Sequence, residues 1–458
     1  MNTVQKLYAV LFLMLNSAGV YAQQPGTSVD AFDDYIDLLL EQNPEVIAAR
    51  IDEQIAQQAL VAAGLERRPT LDLVGDYTLA IGGRSIAFPA GDLLNPVYGT
   101  LNQLTASDQF PTNLENVDEL LAPNNFYDLR FEARLPLIAP AIRRQEVLRE
   151  AELSGSQAAI AVVELNSKTR LRSLYFGYLR TFAGEQVIDS SRLVLQELLR
   201  VNQSLVRNEV ATSDVVYQTE AEIADLNGQL ASLLAQRSNA QAAVNRLLNR
   251  RLNDPIRSDF ELIDFDTVLA IQSLPALLEK VEQRPEMAQI DAGLHTLSAL
   301  DELQGAAGQP QLGVGVLAGS QGFIGTDYAD DPYSIAGLNL SWNLYDGNRR
   351  NTQRQITRLR REAQASRRVG IERDLELQVF TSYQNRLAAK ARLQAANSSR
   401  RSALRSLELI EARYLNEQAI LVEYLDARNR WTSSELAFVD AYYELLIAHY
   451  ELLAAIGG

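Results

Sequence analysis

Side chains able to do covalent or metal chemistry are few in this chain, and their spacing assigns them to packing. There are no cysteines and only two histidines, His295 and His449, in 458 residues. That excludes disulfides, thiolate metal sites, a cysteine nucleophile and a histidine-rich metal centre. It also removes any lipid attached through a cysteine thioether. No Ser-His-Asp order is visible. Gly313, Gly315 and Gly319 come nearest to a phosphate-cradling loop, but neither a basic residue nor an immediate helix follows Gly319. They read as strand glycines, and the histidines as helix-surface or packing residues. No enzyme and no cofactor is expected. Acidic residues outnumber basic ones, 58 against 42, for a net charge of −16. That argues against a basic face for phosphate, and so against nucleic acid as a partner.

The elements that must position the charged residues show in the prolines. Pro44 and Pro69 lie 25 residues apart, as do Pro285 and Pro310, and the pairs match at an offset of 241. Asn43-Pro44-Glu45-Val46 is echoed by Arg284-Pro285-Glu286-Met287, and Arg68-Pro69-Thr70-Leu71 by Gln309-Pro310-Gln311-Leu312. A fixed long offset marks an internal duplication. Residues 1–22 read as a secretory signal: Lys6, an apolar run from Leu7 to Leu15, and Val20-Tyr21-Ala22 before Gln23. A first repeat over 23–255, a linker over 256–272 and a second repeat over 273–458 follow.

No proline occurs between Pro140 and Pro255 or after Pro332. Interior proline costs about 3 kcal/mol in a helix, so both stretches permit very long helices, over 141–250 and 349–456. A helix from Ala141 to Arg207 would be about 100 Å long, which predicts an elongated protein. Each stretch has one interruption, at Asn208-Glu209 and at Asn416-Glu417, with Thr212 or Ser213 as a possible cap for the helix that follows. These Asn-Glu pairs sit at an offset of 208, so 33 residues of the first repeat lack a counterpart. Segment 82–125, with Gly82-Gly83, Pro89, Gly91, Pro96, Pro111 and Pro123, reads as a long loop that accounts for them.

Strands are predicted over 71–81, 126–138, 311–321 and 333–345. Leu71, Leu73, Gly75 and Tyr77 alternate with Asp72, Val74 and Asp76. Leu129, Phe131 and Ala133 alternate with Arg130, Glu132 and Arg134, and Leu338, Leu340, Trp342 and Leu344 alternate with Asn339, Ser341 and Asn343. A transmembrane barrel strand has this pattern and length. A soluble amphipathic sheet would alternate in the same way. Tyr77, Tyr127, Tyr333 and Tyr345 near the strand ends would suit an interfacial girdle. No helix stretch is apolar enough to span lipid. If the strands enter a membrane, four of them cannot close a barrel and open edges are not tolerated there. Several chains must then share one barrel.

Taken in order, these residues resemble the TolC-type outer-membrane efflux protein family over about residues 30 to 458. The resemblance rests on Asn43-Pro44-Glu45-Val46-Ile47-Ala48-Ala49-Arg50 and on the strand-to-helix passage Leu340-Ser341-Trp342-Asn343-Leu344-Tyr345-Asp346-Gly347-Asn348-Arg349-Arg350. Tyr424-Leu425-Asp426-Ala427-Arg428 and Tyr450-Glu451-Leu452-Leu453-Ala454-Ala455-Ile456-Gly457 complete it. It implies a mainly α chain with a small β part, whose homotrimer sets a shared 12-stranded outer-membrane β-barrel on a long periplasmic α-helical barrel. It implies a passive exit duct, from the outer membrane into the periplasm, for a tripartite efflux pump or type I secretion. The implied partners are a periplasmic adaptor (membrane fusion) protein, an inner-membrane RND, ABC or MFS pump, and outer-membrane lipid. Glu423 and Asp426 match the acidic positions that ring the closed entrance, and Asp214 and Tyr414 match positions whose hydrogen bonds hold it shut. Asn208, Glu209, Asn416 and Glu417 fall at the periplasmic tip turns, where the family often has Gly, and Ala419 replaces a basic latch residue. The segment 82–125 would then emerge outside, as a surface insertion in preference to a lid. The competing reading is an exported periplasmic coiled-coil scaffold or adaptor without a pore.

Overall fold

The repeated prolines start helices. In the computed structural model, which describes residues 29–121, 124–258, 272–324 and 331–458, Pro44 opens α2 (Pro44–Leu65) and Pro285 opens α7 (Pro285–Ala306). Proline suits the first helical position, where its missing N–H has no partner to lose. The signal segment 1–22 lies outside the described residues, as do residues 259–271 of the linker. Helix α1 (Val29–Gln42) precedes α2, and Asn43 between them caps α2: its Oδ1 accepts from the backbone N–H of Glu45 at 2.9 Å and of Val46 at 3.2 Å.

Each repeat then runs through strands into two long helices. In the first these are β1 (Thr70–Thr78), β2 (Ser85–Phe88), α3 (Ala90–Thr105), β3 (Val117–Leu120), β4 (Phe126–Ile138), α4 (Pro140–Arg207) and α5 (Asp214–Leu247). In the second, α6 (Leu274–Leu278) and a 3₁₀ turn lead into α7, followed by β5 (Gln311–Phe323), β6 (Asp331–Ser341), α8 (Arg349–Leu415) and α9 (Leu421–Ala455). The corresponding helices α4 and α8 contain 68 and 67 residues, about 100 Å each at 1.5 Å per residue. Among the described residues no helix is long and apolar enough to cross a membrane.

The chain divides into two units. One (residues up to Gln54, Gly155–Asp291 and Ser366–Gly458) holds helices and no strand among its described residues. Its largest core packs Leu39 of α1, Leu171, Tyr175 and Phe176 of α4, Val244 of α5 and Leu446 of α9. The two repeats are tied off alike at sequence positions 241 apart. Asn43 donates through Nδ2 to the carbonyl of Leu247, the last residue of α5, at 2.8 Å. Buried Arg284 donates through Nη1 to the carbonyl of Ala455, the last residue of α9, at 3.0 Å. A helix leaves its final carbonyls without intrahelical partners, and each repeat satisfies one from its own start.

The other unit (Ile55–Ser154 and Ala292–Ala365) holds a four-stranded antiparallel sheet in the order β1-β4-β5-β6 and a separate two-stranded β2–β3 sheet. Two sequence expectations change here. Strand β6 stops at Ser341, so Trp342 and Leu344 are not in the ladder. The passage is fixed instead by Arg350, which pairs with Asp346 at 2.9 Å and donates to the carbonyl of Asn343 at 3.2 Å. The segment 82–125 is not a plain loop. It carries β2, α3 and β3, and Asn side chains bind its return segment to α3: Asn95 exchanges two hydrogen bonds with Leu114, and Asn102 two with Phe110. Gly91 is buried where a Cβ would lie 2.2 Å from the carbonyl of Leu114. The prolines and glycines that suggest turns therefore serve a folded insertion.

Candidate entrance and barrel face

The helical unit carries the two interruptions, and both are Schellman turns. Glu209 has φ 60° and Glu417 φ 58°. The N–H of Val210 bonds the carbonyl of Leu205 at 2.9 Å, and that of Gln418 bonds Arg413 at 2.8 Å. These are the six-to-one bonds that close a helix C-terminus through a left-handed residue. Asn208 and Asn416 each donate through Nδ2 to a carbonyl four residues back, Ser204 at 2.8 Å and Ala412 at 2.7 Å. The capping expectation fails at Thr212 and Ser213: Ser213 is itself helical and makes no side-chain cap bond, and the Thr212 hydroxyl is taken by the Asp214 carboxylate.

Behind these turns the four long helices share a core of Leu195, Leu226, Leu407, Leu421, Tyr424 and Leu425. Ser191 and Thr432 bond across α4 and α9 at 2.9 Å, and Asn429 donates to Glu222 of α5 at 2.7 Å. Tyr414 stacks on buried Tyr424, with ring centroids 5.2 Å apart and planes 12° from parallel. Asp214 lies exposed at the start of α5. Glu423 and Asp426 share the exposed face of α9, opposite buried Tyr424, Leu425 and Arg428. Asp426 pairs with Arg430 at 2.8 Å. That partner was missed in the sequence, although its i,i+4 spacing from Asp426 is the ordinary signal for such a pair. Burial raises the Glu411 carboxyl above the usual carboxylate range, against the pull of Arg428, and Glu408 adds to the rise.

The sheet has two unlike faces. On one, Leu71, Leu73 and Tyr77 of β1 align by register with Ala133, Phe131 and Tyr127 of β4. Val316, Val314 and Leu312 of β5 align with Ala336, Leu338 and Leu340 of β6. These apolar side chains are largely uncovered: Leu71 is 70% exposed, Leu338 71% and Leu340 68%. On the other face Arg130 bridges Asp76 and Glu132 at 2.8 Å and Asp128 at 2.6 Å, and Arg134 pairs with Glu132. Tyr333 of β6 reaches Asp128 of β4 at 2.7 Å. It therefore lies on the charged face and does not join an aromatic girdle with Tyr77. Gly319 sits between them, paired with Arg130 on one side and Tyr333 on the other. A Cβ at Gly319 would meet the Leu129 carbonyl at 2.5 Å, so this position takes only glycine.

The family model described as "Outer membrane efflux protein" matches residues 277–458. The match covers most of the second repeat and none of the first. The likeness of fold to solved outer-membrane channels extends over both repeats. The chain shares 16% identity with the CmeC outer membrane channel of Campylobacter jejuni, at a TM-score of 0.72, over 95% of this chain and 90% of that one. It shares 16% with the outer membrane protein VceC of Vibrio cholerae (0.68; 93% and 96%). The Neisseria gonorrhoeae MtrE channel, in its open state, gives 15% identity (0.70; 93% and 89%). No curated protein matches the chain. The fold is thus that of the outer-membrane channels, mainly helical with a small sheet and a duplicated plan.

Proposed function

We propose that this protein is the outer-membrane exit duct of a tripartite efflux pump or type I secretion system, a passive trimeric channel and not an enzyme. The observation that carries this is the sheet: one face largely apolar, the other bearing the Arg130 charge cluster, and two unpaired edges at β1 and β6. Neither edge can face lipid, because hydrocarbon supplies no hydrogen-bond partner. Four strands are too few for closure, since membrane barrels begin at about 8. Copies of the chain pairing β6 to β1 close the ring, and three copies give the 12 strands that the family resemblance implies. The apolar face then meets lipid and the Arg130 cluster faces the water-filled bore.

In this arrangement the long helices lie in the periplasm and their turns form the entrance. Three copies of Glu423 and Asp426 ring it and favour cations. Asp214 and Tyr414 belong to the contacts that hold it closed. A periplasmic adaptor docks on the helices and an RND, ABC or MFS pump supplies the energy. A pore-less scaffold gains no support, for it has no use for a two-faced sheet with uncovered leucines. Native mass spectrometry of detergent-purified protein tests the reading. Three copies support it; a monomer that needs no detergent overturns it.

A further inference from the structure

The insertion that folds against expectation is built inside out. Asn95, Tyr98 and Asn102 of α3 turn toward its own return segment, where Tyr98 meets Phe110 at 5.7 Å between ring centroids. The opposite side of the helix, at spacings of four and seven residues, carries Leu93, Val97 and Leu104, which are 57%, 51% and 78% exposed. Helices of water-soluble structure turn such a stripe inward. On the β2–β3 pair that flanks it in sequence, Phe88 and Val117 face each other in register and are also half exposed. An apolar stripe pinned outward by a polar inner face calls for a partner.

We propose that this insertion is a second contact between copies of the chain, the Leu93–Val97–Leu104 stripe of α3 packing on the neighbouring copy at the mouth. This rests on the trimer reading above. Two observations select a second copy over a lipid surface. First, the insertion leaves the end of β1, the edge strand whose partner in that reading is the neighbour's β6. Helices α2, α4, α7 and α8 enter or leave the strands at the opposite end of the sheet, so in that reading the insertion sits at the seam, on the outer side. Second, its charge is wrong for a membrane surface. Helix α3 has no Lys or Arg, and segment 82–121 has only Arg84 against Asp92, Asp108, Glu115, Asp118 and Glu119. Interfacial helices carry basic residues toward anionic headgroups.

A photoreactive benzoylphenylalanine at Leu104 or at Val97, with Gln103 as the control position, tests this on the full-length protein in outer-membrane vesicles. The expected result is a covalent dimer of the chain on a denaturing gel for Leu104 and Val97, at least fivefold above Gln103. Lipid adducts only, or no adduct from protein that native mass spectrometry shows to be trimeric, would overturn the contact and leave the trimer standing. Protein that is not trimeric would overturn both.

Discussion

Glu209 and Glu417 hold the left-handed position of their turns against the preference of any residue with a Cβ. Replacing either with glycine should therefore tighten the turn. A left-handed conformation costs an L-residue about 1–2 kcal/mol. Glycine removes that strain but gives the unfolded chain back about 0.4–1 kcal/mol of conformational freedom. The net gain is about 0.5–1 kcal/mol per turn. No bond is lost, because the turns are closed by backbone groups: Val210 N–H to Leu205 O at 2.9 Å and Gln418 N–H to Arg413 O at 2.8 Å. Hydrogen exchange at those two amides reads local opening directly. Glu209→Gly should slow exchange at Val210 about two- to fivefold, and Glu417→Gly should do so at Gln418. Asn, which tolerates this conformation, should fall between Gly and Glu, while Ala should resemble Glu. Equal exchange across the Gly, Asn and Ala variants would refute the strain argument.

Other outcomes follow from single contacts. The folded entrance holds a proton on Glu411 at pH values where the unfolded chain has lost it. Stability should thus fall as pH rises from the ordinary glutamate range through the raised value. Glu411→Gln should flatten that slope in melting temperature against pH; an unchanged slope would contradict the assignment. Arg430 pairs with Asp426 at 2.8 Å, so in the proposed trimer each copy presents two carboxylates and one guanidinium at the entrance. Arg430→Gln roughly doubles the net negative charge there and should raise cation selectivity in reversal-potential measurements, with Glu423→Gln acting oppositely. Gly319→Val should abolish the heat-modifiable trimer band, because its Cβ would lie 2.5 Å from the Leu129 carbonyl. Gly337→Ala meets no atom within 4 Å and should leave that band intact.

The long helices were legible because proline marks what a helix cannot hold, and its absence over two stretches left little else to form. The duplication was legible in Pro44 and Pro285, whose place at the first helical turn is fixed by backbone chemistry alone. The charged strand face was legible as a period of two, but the Tyr333–Asp128 bond was not. It spans two strands across Gly319 and depends on register, which no local pattern sets. The insertion was misread because Pro89, Gly91 and Pro96 are turn signals wherever a helix is not held by distant contacts. There, Asn95 and Asn102 hold α3 from residues 19 and 8 positions away. At the entrance, the face carrying Glu423 and Asp426 follows from helix spacing. The stacking of Tyr414 on Tyr424 does not, because it joins two helices across a turn.

Single-channel conductance of the purified protein in a planar bilayer tests the central claim most directly. A small cation-selective conductance is predicted for the wild type. It should grow in Tyr414→Phe, which keeps the ring stacked on Tyr424 but removes the hydroxyl proposed to hold the entrance closed. A protein that never conducts, in wild-type form or with the entrance loosened, would contradict the duct.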